Sequence, residues 1–87
     1  MPTVFIPPAM RPLTDGLDRV IVEATTVRGA IGALETKYPG IRDRLCSDDG
    51  LKPGLSVAVD GNVSSQGLLR KLKETSEVHF LPAIGGG

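Results

Sequence analysis

The sequence has little of what many functional classes require. Its 87 residues include one cysteine, one histidine and no tryptophan. A lone cysteine, Cys46, cannot form an intramolecular disulfide, which fits a reducing compartment. Lysine plus arginine number 10 and aspartate plus glutamate also number 10. No net charge therefore attracts the chain to nucleic acid or to an anionic membrane.

Long apolar runs are also absent. A membrane-spanning helix needs about 20 consecutive apolar residues, and no run in this sequence approaches that length. The first residues, MPTVFIPPAM, lack the basic stretch that opens a signal peptide. We therefore expect a cytoplasmic protein that neither spans nor binds a membrane. Its length suits one domain.

Reactive side chains are too few to predict a catalytic or metal centre. One histidine, His79, and Cys46 fall short of the three or four ligands of a metal site. Nothing in the sequence brings these two together as a base and a nucleophile. Asp48 and Asp49 lie in a turn-rich segment, where such residues are usually solvated. We expect no catalytic residue, no metal, and a structural role for His79 in a strand.

The clearest local pattern is one amphipathic helix. Thr25 or Thr26 can cap its N-terminus, and Pro39-Gly40 ends it. Its apolar stripe has the spacing of one helix face and consists of Val27, Ala30, Ile31, Leu34 and Tyr38.

Strand patterns lie on both sides of this helix. Residues 3–6 and 17–23 predict a first hairpin, residues 55–63 predict two strands around Asp60-Gly61, and residues 77–84 predict the last strand. Residues 40–45 and 68–74 predict short helical turns, and residues 46–54 predict a polar loop. The order β, β, α, β, β, short helix, β predicts an α+β fold, with a mixed sheet packed on one main helix.

The last predicted strand has two different sides and then a glycine-rich end, in the sequence VHFLPAIGGG. Alternation places Val78 and Phe80 on one side and His79 and Leu81 on the other. Proline cannot donate a hydrogen bond to a sheet ladder, so pairing should stop at Pro82. We predict a folded domain over residues 1–84 and a flexible glycine tail over residues 85–87.

The tail is also the best candidate for chemistry. Glycine lets a chain enter a narrow channel where a Cβ would collide. The α-carboxylate of Gly87 would be ionised at neutral pH and a poor electrophile, so another protein would have to activate it. The tail would then be a substrate. The simpler alternative is a disordered terminus without function.

The order of elements and the ending FLPAIGGG resemble the ubiquitin-like β-grasp sulfur carriers. This family includes the small subunit of molybdopterin synthase, the thiamine-pathway carrier and a carrier for cysteine synthesis. Residues 6–16 (IPPAMRPLTDG) and 34–45 (LETKYPGIRDRL) are most similar to the cysteine-synthesis type. Gly86-Gly87 matches the family's terminal di-glycine, whereas Gly85 stands where alanine is common. KETSEV, at residues 73–78, replaces the usual turn before the last strand.

The resemblance implies a β-grasp domain that acts as a carrier and not as an enzyme. An E1-like adenylyltransferase and sulfurtransferase would adenylate the Gly87 carboxylate with ATP, and a sulfur donor would convert it to a thiocarboxylate. Gly85 and Gly86 would thread into the partner's channel. The chain itself would bind no cofactor. Exposed apolar surface beside a functional arm marks a partner site, and the candidates for docking are Leu81, Pro82 and Ile84.

The resemblance leaves the sulfur acceptor open. In the cysteine branch, the thiocarboxylate attacks an aminoacrylate on a PLP-dependent cysteine synthase, and a metallopeptidase releases cysteine. The same tail could dock into the large subunit of molybdopterin synthase. A third alternative is a ubiquitin-like modifier joined to lysines through Gly87, and a fourth is a binding module with an inert tail.

Overall fold

A computed structural model describes residues 1–47, 50–52, 54–63 and 67–82. The main helix, α1, spans Val27–Lys37, and a short helix, α2, spans Ile41–Leu45. Two 3-10 helices span Pro8–Thr14 and Gly67–Leu69. The strands are β1 (Thr3–Phe5), β2 (Arg19–Ile21), β3 (Cys46–Ser47), β4 (Gly50–Leu51), β5 (Leu55–Val59), β6 (Asn62–Val63) and β7 (Glu77–Pro82).

Five strands form a mixed sheet with β7 at its centre. The strand order is β2-β1-β7-β5-β6, and β3 and β4 form a separate two-stranded ribbon. β1 and β7 are parallel, while the other neighbours in the sheet are antiparallel. The predicted mixed sheet and the antiparallel pairing of the first two strands are confirmed.

The predicted main helix forms where the sequence places it. The Thr26 hydroxyl oxygen accepts a hydrogen bond from the Gly29 N–H at 3.0 Å, so Thr26 is the N-cap. The helix ends at Lys37, and Tyr38 caps its C-terminus, one residue before Pro39. The helical members of the predicted stripe are buried, and Tyr38 is half-buried.

The core lies between α1 and one side of the sheet, which we call the inner face. Alternate strand residues point into it, as the period of a strand requires. Burying each large apolar side chain contributes about 1.5–3 kcal/mol. The buried residues of the inner face are Val4, Val20, Val57, Val59, Val78 and Phe80.

The prediction of a loop over residues 46–54 is wrong in part. Cys46 pairs with Leu51 and Ser47 pairs with Gly50 in the β3–β4 ribbon. Lys52 then donates its N–H to the Leu45 carbonyl oxygen at 3.0 Å. Backbone groups close to a core must find partners, and this segment finds them within itself. Asp48, Asp49 and Pro53 lie outside the described residues.

The prediction of helical turns over residues 68–74 is correct only at its start. The 3-10 helix ends at Leu69. Beyond it, the Arg70 carbonyl accepts from the Val27 N–H at 3.0 Å, and the Leu72 N–H donates to the Thr25 carbonyl at 2.8 Å. The Arg70 carbonyl and the Leu72 N–H are thus bonded to the chain at the start of α1. They are not available for the hydrogen bonds of a helix.

The connection between the two strands of the predicted hairpin, β1 and β2, contains the 3-10 helix Pro8–Thr14. Thr14 is fully buried at its end, and the Thr14 hydroxyl donates to the Leu17 carbonyl oxygen at 2.9 Å. The Arg11 Nε donates to the Ile6 carbonyl oxygen at 3.1 Å. These bonds hold the segment beside the end of β1. In the four described ranges, no helix is long and apolar enough to cross a membrane.

Candidate functional site

The residues that lead to the glycine tail lie in the central strand. β7 pairs with β1 from Glu77 to His79 and with β5 from Val78 to Pro82. The β1 ladder ends at His79 because β1 stops at Phe5 and the chain enters the 3-10 helix. Only the β5 side therefore holds β7 as far as Pro82. Residues 83 and 84 of the predicted last strand lie outside the described ranges, so the end of pairing at Pro82 stays a prediction.

The start of β7 is fixed by a carboxylate. Asp60 Oδ1 accepts the Glu77 N–H at 2.9 Å, and Oδ2 accepts the Ser76 hydroxyl at 3.0 Å. The backbone hydrogen bond from Glu77 holds the pKa of Asp60 below its ordinary value. Asp60 and Gly61 have φ of 53° and 84°, as expected for the predicted two-residue hairpin turn between β5 and β6. The turn thereby anchors β7 in the sheet.

The side of the sheet opposite α1, which we call the outer face, carries one row of side chains across all five strands. The Phe5 ring stacks on the His79 ring, with 4.2 Å between centroids and 8° between planes. The Arg19 guanidinium carbon lies 5.1 Å from the Phe5 centroid, a cation–π geometry. Strand register sets the order of the row as Arg19, Phe5, His79, Ala58 and Val63.

Large apolar side chains are exposed on this outer face. Ile21 is 56% exposed, Val63 is 62% exposed and Leu81 is 41% exposed. Arg19 also contacts Asp18 at 3.4 Å, and this hydrogen bond is the main reason that the pKa of Asp18 is lowered. The face is therefore apolar in places and charged at the β2 edge, a combination typical of a protein-binding surface.

The structure places only part of the predicted site. Leu81 lies on the outer face, on the same side of β7 as His79 and opposite Ser56 of β5. Pro82 pairs with Leu55 at the end of the strand. The other predicted residues lie outside the described ranges, and their roles stay predictions: Ile84, Gly85, Gly86 and Gly87.

Sequence reasoning missed Phe5, Arg19 and Val63 as members of the same surface. Alternation indicates that Phe5 points away from Val4, but it does not indicate which strand lies beside β1. Parallel pairing of β1 with β7 brings Phe5 against His79. A candidate surface built from the last strand alone therefore could not include these neighbours.

Cys46 and His79 do not form a pair. Cys46 lies in the β3–β4 ribbon beside α1 and α2, whereas His79 lies on the outer face against Phe5. Burial raises the pKa of the Cys46 thiol, and Arg42 opposes that shift only in part. No group of three or more potential ligands that could hold a metal ion occurs in the described part of the chain.

Comparison with known proteins agrees with this fold. The ThiS family matches residues 5–87. The sulfur carrier protein CysO of Mycobacterium tuberculosis is 36% identical over 92 aligned residues, which cover 98% of this chain and 97% of that protein.

Solved structures show the same similarity. A chain in the crystal structure of the Amycolatopsis orientalis BexX/CysO complex superposes with a TM-score of 0.90 and 31% identity over the whole of both chains. CysO of Mycobacterium tuberculosis gives 0.88 and 30% identity, covering 97% of this chain and all of that one. Small archaeal modifier protein 1 of Methanosarcina acetivorans, at 0.79 and 21% identity, shares the fold. The chain belongs to the ThiS family of ubiquitin-like sulfur carriers.

Proposed function

We propose that this chain carries sulfur as a thiocarboxylate on Gly87 and delivers it for cysteine synthesis. The observation that carries the proposal is the position of β7. It is the central strand of the sheet, it is paired as far as Pro82, and it leads directly to the predicted reactive end. The similarity to CysO over nearly the whole chain supports the cysteine branch.

Geometry supports a reaction inside a partner enzyme. Five residues, 83–87, follow Pro82, and an extended chain of that length reaches at most about 18 Å. Such an arm can enter a channel while the folded domain stays outside. Because glycine has no Cβ, Gly85 and Gly86 would thread where a larger residue would collide.

The chemistry at Gly87 requires two steps. A carboxylate oxygen attacks the α-phosphorus of ATP and expels pyrophosphate, which gives an acyl adenylate. A sulfur nucleophile then attacks the carbonyl carbon and expels AMP, which leaves one sulfur in place of one oxygen. The chain supplies the substrate carboxylate, and the activating enzyme binds ATP. In this proposal the carrier needs no cofactor or catalytic residue of its own.

The outer face supports docking of the activating enzyme. Leu81 is exposed beside the half-buried stack of Phe5 and His79, one residue before Pro82. Apolar anchors at the centre of an interface contribute most of its binding energy. If the activating enzyme binds this face, the end of β7 lies along the surface of the enzyme. We propose that Leu81 is one such anchor and that Pro82 and Ile84 extend it.

The partners follow from this chemistry. An E1-like adenylyltransferase and sulfurtransferase forms the thiocarboxylate, a PLP-dependent cysteine synthase accepts the sulfur, and a metallopeptidase releases the product. Because ATP supplies the activation and one free cysteine suits reducing conditions, we propose a cytoplasmic setting.

The first test is the intact mass of the full chain after incubation with an E1-like enzyme, ATP and a sulfide source. The expected gain equals replacement of one oxygen by one sulfur. A variant that lacks Gly87 should show no gain. A matched Leu69→Ala variant should behave like the wild type, since Leu69 is 73% exposed but belongs to the 3-10 helix Gly67–Leu69 and not to the outer face. No gain in the wild type, with an enzyme proven on another carrier, would refute the proposal.

A second test separates the cysteine branch from the alternatives. The purified thiocarboxylate is mixed with a PLP-dependent cysteine synthase that carries an aminoacrylate, and loss of the aminoacrylate absorbance is followed. We expect a covalent adduct between the carrier and the new amino acid. Transfer to the large subunit of molybdopterin synthase instead, or conjugates with lysine side chains, would replace this branch with another.

A further inference from the structure

A second surface feature lies on the helical side of the molecule. A cavity of about 330 Å³ is formed between α1, α2, the β3–β4 ribbon and the 3-10 helix Gly67–Leu69. These elements lie on the inner side of the sheet, so the cavity is separate from the row of side chains on the outer face, and no residue of β7 lines it. The reaction proposed at Gly87 makes no use of it.

The cavity has an apolar floor. Ile31 of α1 is 1% exposed, and Cys46 and Leu68 are half-buried beside it. Burial raises the pKa of the Cys46 thiol above its ordinary value, so this group is neutral at neutral pH. The floor therefore favours a small apolar body over a charged one.

The rim carries two positive charges. Arg28 of α1 and Arg42 of α2 line the cavity, together with Ser47 and Gly50 of the ribbon. Among the described residues that line it, none is acidic, and neither arginine forms an ion pair within the described ranges. Asp48 and Asp49, between Ser47 and Gly50 in the sequence, lie outside those ranges. The Arg42 charge acts on the Cys46 thiol, where it opposes the effect of burial.

A side-chain carboxylate joins the two helices that carry these arginines. The Glu35 carboxylate of α1 accepts the Arg42 N–H at 2.9 Å and the Gly40 N–H at 3.0 Å. The hydrogen bond from the Arg42 N–H is the main reason that the pKa of Glu35 is lowered. This contact fixes the start of α2 against α1, and the charge of the Arg42 side chain, which lines the cavity, also lowers the pKa of Glu35.

We infer that this cavity binds a small organic anion. Its carboxylate or phosphate group lies between Arg28 and Arg42, and its short apolar body rests on Ile31, Cys46 and Leu68. Guanidinium groups bind planar carboxylates and phosphates by paired, charge-assisted hydrogen bonds. The volume is near the lower limit for small-molecule pockets, which run from about 300 to 1,000 Å³. An anion with a few apolar atoms satisfies both the rim and the floor.

The test uses the full ¹⁵N-labelled chain, with no enzyme and no ATP, titrated with phenyl phosphate and followed by NMR. Benzyl alcohol tests the apolar body alone, and inorganic phosphate tests the charge alone. We expect the largest amide shifts at Arg42, Ser47 and Gly50, and an affinity for phenyl phosphate about tenfold or more above that of either partial probe.

Three variants, each of which loses one positive charge, test where phenyl phosphate binds. Arg28→Gln and Arg42→Gln should each weaken phenyl phosphate binding about fivefold. Arg44→Gln is the matched control, because Arg44 is exposed on the same short helix but does not line the cavity. It should bind like the wild type, and all three variants should keep the wild-type circular dichroism spectrum.

Several results would overturn the inference. They are equal weakening by Arg44→Gln and Arg42→Gln, shifts centred on Arg11 or Arg19, and tighter binding of inorganic phosphate than of phenyl phosphate. Absence of binding at millimolar phenyl phosphate would overturn it as well. Because the measurement involves no ATP and no enzyme, none of these results bears on the reaction at Gly87, and failure of that reaction would not exclude binding in the cavity.

Discussion

Val78 and Phe80 on one side of β7 are 0% and 6% exposed, whereas Leu81 on the other side is 41% exposed. The first side faces α1 and belongs to the core, and the second belongs to the outer face, where Leu81 is exposed. Because successive strand residues point to opposite sides, one strand can stabilise the fold and present a partner surface at once. A change on one side should therefore leave the property of the other side intact.

The largest effect that tests this separation is loss of a core side chain. Phe80→Ala should lower the free energy of unfolding by about 3–5 kcal/mol, because it removes buried apolar area and leaves a cavity beneath α1. Urea denaturation followed by circular dichroism measures it. Phe80→Leu, which retains most of the volume, should cost less than about 1.5 kcal/mol and keep normal sulfur loading. Wild-type stability in Phe80→Ala would contradict the assignment of β7 to the core.

The neighbouring residue should show the opposite behaviour. Leu81→Ala should change the free energy of unfolding by less than about 0.5 kcal/mol, because Leu81 is largely exposed. The rate of thiocarboxylate formation should fall about tenfold, since an interface anchor contributes more than about 1 kcal/mol. Stopped-flow or quenched mass measurements follow the rate. If Leu69→Ala slows loading equally, the outer face has no special part in docking.

The helix that covers the inner face gives a smaller test. Thr26→Ala removes the oxygen that accepts the Gly29 N–H, and the free energy of unfolding should fall by about 1 kcal/mol. Thr26→Ser keeps the cap and should remain near the wild type. Sulfur loading should be unchanged in both at temperatures where both are folded. Slower loading by folded Thr26→Ala would show that the two faces are coupled through α1.

Two glycines of α1 give a further test of the stability of the helix that covers the inner face. A Cβ at Gly32 would meet nothing within 4 Å, whereas one at Gly29 would lie 3.3 Å from Thr26 Oγ1. Gly32→Ala should therefore raise the free energy of unfolding by up to about 1 kcal/mol. Gly29→Ala should raise the free energy of unfolding by less, because the Thr26 side chain that caps the helix must shift. Thermal denaturation of both variants measures this difference. An equal increase in stability at both positions would show that the Thr26 cap can shift without cost.

The smallest expected effect concerns pH and the start of β7. The pKa of Asp60 is lowered in the folded state by the hydrogen bond from the Glu77 N–H. The Asp60 carboxylate therefore makes its full contribution to the free energy of unfolding at pH values above the pKa of Asp60 in the unfolded chain. That contribution is lost as pH falls through the folded pKa. Asp60→Asn, which tolerates the positive φ of this position, should flatten the decline of thermal stability between neutral and acidic pH. Glu77→Gln is the control, and an unchanged slope in Asp60→Asn would assign the dependence to other carboxylates.

Features set by neighbouring residues were predictable from the sequence. The apolar stripe with Thr26 before it and Pro39-Gly40 after it indicated α1, and alternation indicated both sides of β7. Asp60-Gly61 indicated the turn between β5 and β6, because both residues tolerate a positive φ. In each case the governing interactions act within a few positions, where the sequence can be read directly.

Features that join distant segments were not predictable in the same way. The β3–β4 ribbon replaced part of a predicted loop, and contacts with the chain before α1 ended the predicted helix at Leu69. Backbone groups in these segments are satisfied by whichever partner the fold brings close. Local propensity is too weak to decide between such partners.

The sequence by itself determined the helix, the alternation of the strands and the resemblance that led to the sulfur-carrier family. Only the tertiary structure decided that Phe5 stacks on His79, and that Arg28 and Arg42 share the rim of one cavity. The physical reason is that side-chain periodicity is a local property of the chain. Which strands and helices become neighbours depends on burying all apolar faces and pairing all backbone groups together.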